Sequence, residues 1–431
     1  MLVLVLVIFI SACSSNSASD SEATQESSET ATSTEEQAEV SDKPVTLSLI
    51  WFKNDMDAQM KELVAEFQKI HPNITINVES IGDGKSEEVV KSRFAGGKGP
   101  DIFTVAGPVG IAEYQDKIAD LSDQPWVPLA TPMFIEELSK DGKVYGMPYL
   151  IEGMGIVYNK KVFADAGITK LPTNNTELKA VVEELKAKGI RPFATGAKEW
   201  WVLGLHIANA PFSQQANPNQ FMADLTSGAA KFSDNPIFMQ DFKNFMDLYI
   251  GNGEADPLTT DWNGLVKQVV DGEAAMAHGG TFIENFIKAI DGDVDNIGAF
   301  PFSLNDNPET AGKVATGLPF GWVVNNANGT EAESKLFLEF MVMSDIGKKY
   351  LTEVFQWIPA YPSIPFNSGG AVSKDIAKYA SEGKSLPWTF GAWPAGIREN
   401  FGSSLQAYVG KQMTWEQVME QWDKDWEKMS K

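Results

Sequence analysis

From Val45 onward the chain alternates between two hydrophobic rhythms. Val45-Thr46-Leu47-Ser48-Leu49-Ile50-Trp51 carries apolar residues at a strand's spacing, and Met56, Met60, Leu63, Val64, Phe67 and Ile70 then recur at a helix's. Ile74, Ile76 and Val78 predict the next strand, Ser86 to Phe94 a helix, and Asp101 to Val105 a buried strand. Such a β-α-β-α-β series predicts a parallel sheet with right-handed crossovers. Ligands in such sheets lie beyond the carboxyl ends of the strands. That rule points to Trp51-Phe52-Lys53-Asn54-Asp55 after the first strand and Ala106-Gly107-Pro108 after the third.

The rhythm breaks between Asp141 and Lys160, where Gly146, Pro148, Gly153 and Gly155 cut the apolar runs too finely for a helix. A second α/β region then begins near Leu178, so Pro148 to Ile156 is expected to cross between two lobes; a long hairpin in a single domain is the alternative. Later signals are a helix over 175–188, a strand over 191–195, the loop Gly196 to Trp201, a helix over 235–249, and a buried strand from Ala274 running into a Gly279-Gly280 turn. Further crossings are expected at Pro301 and at Gln356 to Tyr361, with a strand-like 316–325 and a helix over 331–343 between them. Trp415, Val418, Met419, Trp422, Trp426 and Met429 form one helical stripe, which reads as core docking. The expected division is 45–150 with 302–356 in the first lobe and 151–301 with 357–431 in the second.

A chain of 431 residues exceeds what one core usually fills, which agrees with two domains. The formal charge of -23 argues against nucleic acid, whose phosphates need a basic face. Part of that charge sits between Ser14 and Pro44, a Ser/Thr/Glu/Ala stretch without apolar periodicity that reads as a disordered tether. Cys13 is the only cysteine, and His71, His206 and His278 are scattered, so no metal site and no cofactor are expected.

The apolar run from Met1 to Ile10 has the length of a signal-peptide core and is too short for a mature membrane span. A basic segment ahead of it is missing, and the natural start is expected further upstream. Ile10-Ser11-Ala12-Cys13 resembles the bacterial lipobox, which implies cleavage after residue 12 and lipid on Cys13. Acyl chains contribute roughly 0.8 kcal/mol of membrane affinity per buried CH₂.

The ordered set of marks is then familiar: lipobox, acidic tether, the LSLIW strand, EFQKIHPNI, GKGPDIF, DGKVYGMPY, GIVYNKKVFADAGI, AAMAHGGTF, and KLFLEFMVMSDIGKKYL before IPAY. From Val45 to Lys431 the chain resembles the extracellular sugar-binding proteins of bacterial ABC importers, the group that includes maltose-binding and multiple-sugar-binding proteins. The resemblance implies an α/β, two-lobed periplasmic-binding-protein-like fold with three inter-lobe crossings and a central ligand cleft that closes on a sugar. It implies delivery to the permease's transmembrane subunits, by a monomer held at the extracellular face of the cytoplasmic membrane. Carried over by position, the ligand-binding candidates in the first lobe are Trp51, Asn54, Asp55 and Gly107, with Asp101 at the cleft edge. The crossing supplies Glu152 and Tyr158. The second lobe supplies Glu199, Trp200 and Trp201 from an acidic-aromatic loop, and His278, Gly279 and Gly280 from the glycine turn. Trp322, Trp388 and Trp393 complete the set. Phe282 stands where the family often has Trp.

These residue types suit a sugar. Flat rings cover its C–H faces, and carboxylates or amides accept from its hydroxyls, each charged hydrogen bond contributing about 1.5 to 3 kcal/mol. Three other readings compete: the same architecture binding a polyamine or peptide, a glycoside hydrolase, and a rigid surface adhesin. A hydrolase needs paired carboxylates about 5 to 9.5 Å apart, and no motif marks such a pair, so a non-enzyme is expected.

Overall fold

The computed structural model of the chain describes residues 43–82 and 85–431. The expected signal peptide, Cys13 and most of the expected tether lie outside the described residues.

Two hydrophobic cores form around two sheets. The first gathers Leu47, Leu49 and Trp51 with Met60, Leu63 and Phe67, which the helical spacing places on one face of Asp57–Ile70. Its four strands lie in the order Gly321–Val324, Ile102–Val105, Val45–Trp51, Ile74–Ser80. Val45–Trp51 runs parallel to both neighbours, as the β-α-β-α-β series requires. Gly321–Val324 departs from that rule and pairs antiparallel at the edge, because it enters from the other lobe instead of through a crossover helix.

The second core surrounds a seven-stranded sheet whose spine is Leu150–Asn159. This strand pairs antiparallel with Ala274–Gly280, Ile297–Phe300, Val314–Gly317 and Ile358–Pro359. Glycine is required where neighbours press on it: a Cβ at Gly155 would lie 2.4 Å from the Phe300 carbonyl oxygen.

The spine is also the joint. Met147, Tyr149 and Leu150 belong to the first core, Met154, Ile156 and Val157 to the second, and Ile151 packs against both. The crossing therefore falls inside the expected Pro148 to Ile156, and the single-domain hairpin fails because the strand's partners all come from later in the chain. The second crossing shifts, and the third runs longer. Phe302, Leu304 and Val314 pack in the second core while Leu318 and Trp322 pack in the first, so the second crossing lies near Gly317, not at Pro301. In the third, Ile358 joins the second core while Trp357, Ala360, Tyr361 and Ile364 join the first and Phe366 packs on the second, so the chain passes between the cores within the expected Gln356 to Tyr361 and leaves the first core only past Ile364. In both cases a proline and its flanking strand were visible in the sequence, but the core each side chain joins was not.

The final helix, Trp415–Met429, buries Trp415, Val418, Met419, Trp422 and Trp426 as a docking stripe and begins with a reciprocal Thr414–Gln417 cap.

Candidate functional site

Where the first strand ends, the chain turns through Asn54–Met56 and carries Lys53 toward the spine. Lys53 Nζ meets Glu152 Oε1 at 2.7 Å, with both side chains 12% exposed. Asp55 Oδ2 accepts from Asn285 Nδ2 at 3.0 Å, and Lys288 donates to Gln356. These links join loops of the first lobe to the helix Ile283–Ala289 of the second. They enclose a recess lined by Lys53, Glu152, Thr281, Phe282, Asn285 and Trp357, with room for only about 30 Å³. That is the share of one water, against roughly 300 Å³ or more for a small-molecule site, so a sugar enters only if the lobes part. Burial and the Glu152 charge together hold the neighbouring Tyr149 hydroxyl well above its ordinary pKa.

Beside the recess stands a wall of rings. Trp201 lies 4.9 Å from Trp262 and 5.2 Å from His206, and His206 lies 4.7 Å from Phe282 and 6.3 Å from Trp388. Trp201 and His206 are five residues apart, and the wide π-helical turn Val202–Ile207 brings them together. Trp388 rests on Gly317, the residue paired in register with Glu152, so the wall reaches the hinge carboxylate. Trp201, Phe282 and Trp388 are half-buried, which leaves ring surface free, and the indole N–H of Trp388 has no partner among the described residues.

A third element closes the opposite side. Gly107 adopts φ +50° at the carboxyl end of Ile102–Val105 and faces Gly391 of the second lobe: a Cβ on Gly107 would lie 3.1 Å from Gly391 Cα and 3.2 Å from Glu137 Oε1. The Glu137 carboxyl has no hydrogen bond or ion pair among the described residues, and burial pushes it up to about 7.

The expected residues divide accordingly. Asp55, Gly107, Glu152, Trp201 and Trp388 come to the gap between the lobes, and Asn54 is exposed beside it. Glu199 and Trp200 are half-buried at the edge of the wall, with Trp200 seated against Gly402 and without a ring neighbour among the described residues. Trp51, Trp322, Trp393 and His278 are corrected to core residues. Trp51 and Trp322 are fully enclosed and stack at 6.1 Å, with the Trp51 indole donating to Ser80 Oγ. Trp393 is enclosed against Phe212 at 4.4 Å and donates to Thr389 Oγ1. His278, Gly279 and Gly280 are not a turn but the end of the buried strand Ala274–Gly280, where a Cβ at Gly280 would meet the Gly153 carbonyl at 2.1 Å. Tyr158 packs on Phe163 at 4.6 Å. Asp101 accepts from Ser48, Asn328 and Thr330, which makes it a structural cap. Lys53 lies inside the stretch singled out above, beside aromatic and acidic neighbours that draw the reading away from it; Glu137, His206, Asn285 and Lys288 carry no periodic signal, and Trp262 opens the helical stripe Trp262, Leu265, Val266, Val269, which marks it as core and hides its place in the wall. Among the described residues no group of His, Cys, Asp and Glu is arranged to hold a metal, and no helix is long and apolar enough to cross a membrane.

Two α/β lobes joined by three crossings, with charged and aromatic residues gathered at the joint, define a bilobal solute-binding protein. The profile of the bacterial extracellular solute-binding proteins matches residues 53–345, and the chain belongs to that family. The chain is 26% identical over 315 residues to the multiple sugar-binding protein of Streptococcus mutans, covering 71% of this chain and 73% of that one. Its fold is similar to a chitin oligosaccharide binding protein (TM-score 0.77, 23% identity, 90% of this chain and 100% of that one). It is also similar to RafE in complex with raffinose (TM-score 0.75, 21% identity, 90% and 100%).

Proposed function

We propose that the chain binds an oligosaccharide between its lobes, closes on it, and hands it to the transmembrane subunits of an ABC permease while held at the extracellular face of the cytoplasmic membrane by lipid on Cys13. The observation that carries this reading is the Lys53–Glu152 pair set at the hinge beside a half-exposed ring wall, Phe282, His206, Trp201 and Trp388. The charged pair suits the hydroxyl belt of a sugar and the rings suit its faces. The sugar-binding relative and the oligosaccharide-binding structural neighbours support the same ligand class. They are solute-binding proteins, which favours capture without turnover. Opening breaks the three polar links across the recess, and the ligand re-forms equivalent contacts on closure.

A glycan array followed by titration calorimetry tests the reading, with small-angle scattering to follow compaction. Micromolar binding of an oligosaccharide with a decrease in radius supports it; saturable binding with no compaction, or measurable turnover, overturns it. A polyamine is the second reading, favoured by the Glu137 and Glu199 carboxylates, which have no ion-pair partner among the described residues. Spermidine binding in the same calorimeter, with no oligosaccharide binding, would select it.

A further inference from the structure

Away from the hinge, the lobes leave a second cavity. It holds about 190 Å³ between the helices Ser86–Ala95 and Gly107–Tyr114 of the first lobe and the segment 393–399 of the second. That is room for about six waters, or for one end of a ligand rather than a whole oligosaccharide. Building on the carbohydrate reading above, we propose that this cavity is a subsite for a sugar ring bearing a free ammonium group.

Two independent observations carry the assignment. Thr104 lines the cavity, is only 4% exposed, and its hydroxyl has no hydrogen-bond partner among the described residues. Its neighbours in the strand are Ile102, Phe103 and Val105, so a valine would fill the same volume without the cost of an unmet polar group. A ligand donor supplies the partner that the protein does not. The second observation is charge. Glu87, Glu88, Glu113 and Glu399 surround the cavity against only Lys91 and Arg398. Lys91 is already engaged with Glu113 at 2.8 Å, and Arg398 donates to the Phe390 carbonyl at 3.1 Å. Burial raises the Glu87 pKa; Glu113 and Glu399 raise it further, and Arg398 and Lys91 oppose them. A cation in the cavity relieves that repulsion, a neutral ring leaves it unchanged, and a uronate adds to it.

The test is titration calorimetry of the full chain in mild detergent with D-glucosamine, D-glucose and D-glucuronate at neutral pH. The expected order is glucosamine tightest by at least about tenfold, one charged hydrogen bond's worth, and glucuronate weakest. Raised salt should narrow the gap, since Glu88, Glu113 and Glu399 stand exposed at the rim. Glu87→Gln with Glu399→Gln should cut the preference to about threefold or less. Thr104→Val should weaken glucosamine severalfold while leaving Tm equal or higher; a lowered Tm would mark the hydroxyl as structural and overturn the assignment. Equal binding of the three sugars, a preference for glucuronate, or no binding of any also overturns it. If neutral oligosaccharides bind and compact the chain while glucosamine gains no preference, the subsite fails and the carbohydrate reading stands; if no glycan binds at all, both fail.

Discussion

Two aromatic assemblies flank the hinge, and they are built for different ends. In the first lobe Trp51, Trp322, Tyr149, Phe355 and Trp357 stack and cross at 4.2 to 6.4 Å, and every one is buried. In the second, Trp201, His206, Phe282 and Trp388 sit at similar separations but remain half-exposed. Composition and proximity to the cleft are alike, so neither distinguishes a ligand wall from a core. What separates them is whether each ring has another side chain on both faces. The enclosed assembly fixes the first sheet to the spine through Trp322 and Tyr149, 5.5 Å apart, while the open one has faces to offer.

The sharpest way to break this contrast is to truncate one ring from each. Trp322→Ala removes a fully enclosed indole and should cost about 3 to 5 kcal/mol in urea unfolding. Trp388→Ala removes a half-exposed ring and should cost no more than about 1.5 kcal/mol, the surface left on it being already paid in water contact. Equal losses would show that both assemblies are core.

Acid should act on the second assembly and spare the first, which contains no histidine. Burial pushes His278 down to about 3, and burial with the nearby His278 lowers His206 well below its ordinary value. A histidine whose folded pKa lies below its unfolded value of about 6.5 contributes fully above that pH, because both states are then neutral. Its contribution is lost as pH falls from about 6.5 toward 3, at up to about 1.4 kcal/mol per pH unit for each group. Unfolding free energies measured from pH 7 to 4 should show this slope, and His278→Gln should flatten it. An unchanged slope in the variant would mean that His278 is not held neutral beneath the wall.

How far the chain could be read follows from the same contrast. Alternation and helical spacing located the β-α-β-α-β series, the joint at Asp141 to Lys160 and the docking stripe of the last helix. Strand parity also argues against Trp51 as a ligand contact: it continues Leu47 and Leu49 at every second position, so its ring points into the core with theirs. No comparable local rule announces Glu137 or Asn285, whose roles arise only when lobes from distant chain segments meet. His206 escaped because a π-helical turn pairs it with Trp201 five residues away, a spacing that α-helical periodicity separates.

Affinity offers a smaller and more specific test. If the open assembly stacks on sugar, Trp201→Ala and Trp388→Ala should each weaken oligosaccharide binding by about 1 to 2 kcal/mol, roughly five- to thirtyfold. Trp51→Phe should leave the affinity of the folded protein within about twofold, since its ring is enclosed. Calorimetry on variants that retain a cooperative unfolding transition decides between them; a Trp51 effect matching that of Trp388 would dissolve the distinction.

The smallest effect concerns the carboxyl that closes the far side of the gap. Burial raises Glu137 to about 7, above an unfolded value near 4.3, so the folded state favours its protonated form. The sign is opposite to that of the histidines: this group is neutral in both states at low pH, and the stability it removes builds as pH rises from about 4.3 to about 7, above which the folded carboxyl is ionised too and the loss is complete. Glu137→Gln should therefore be neutral at pH 4.5 and stabilising at pH 8, by no more than about 1 kcal/mol because water still reaches the carboxyl. Because Glu137 sits against Gly107 and Gly391 across the lobes, the same substitution should favour the closed form of the ligand-free protein at pH 8. Small-angle scattering of wild type and variant at the two pH values measures this. A stability gain at pH 8 without compaction would place the Glu137 charge inside the first lobe alone and leave the gap without a titrating member.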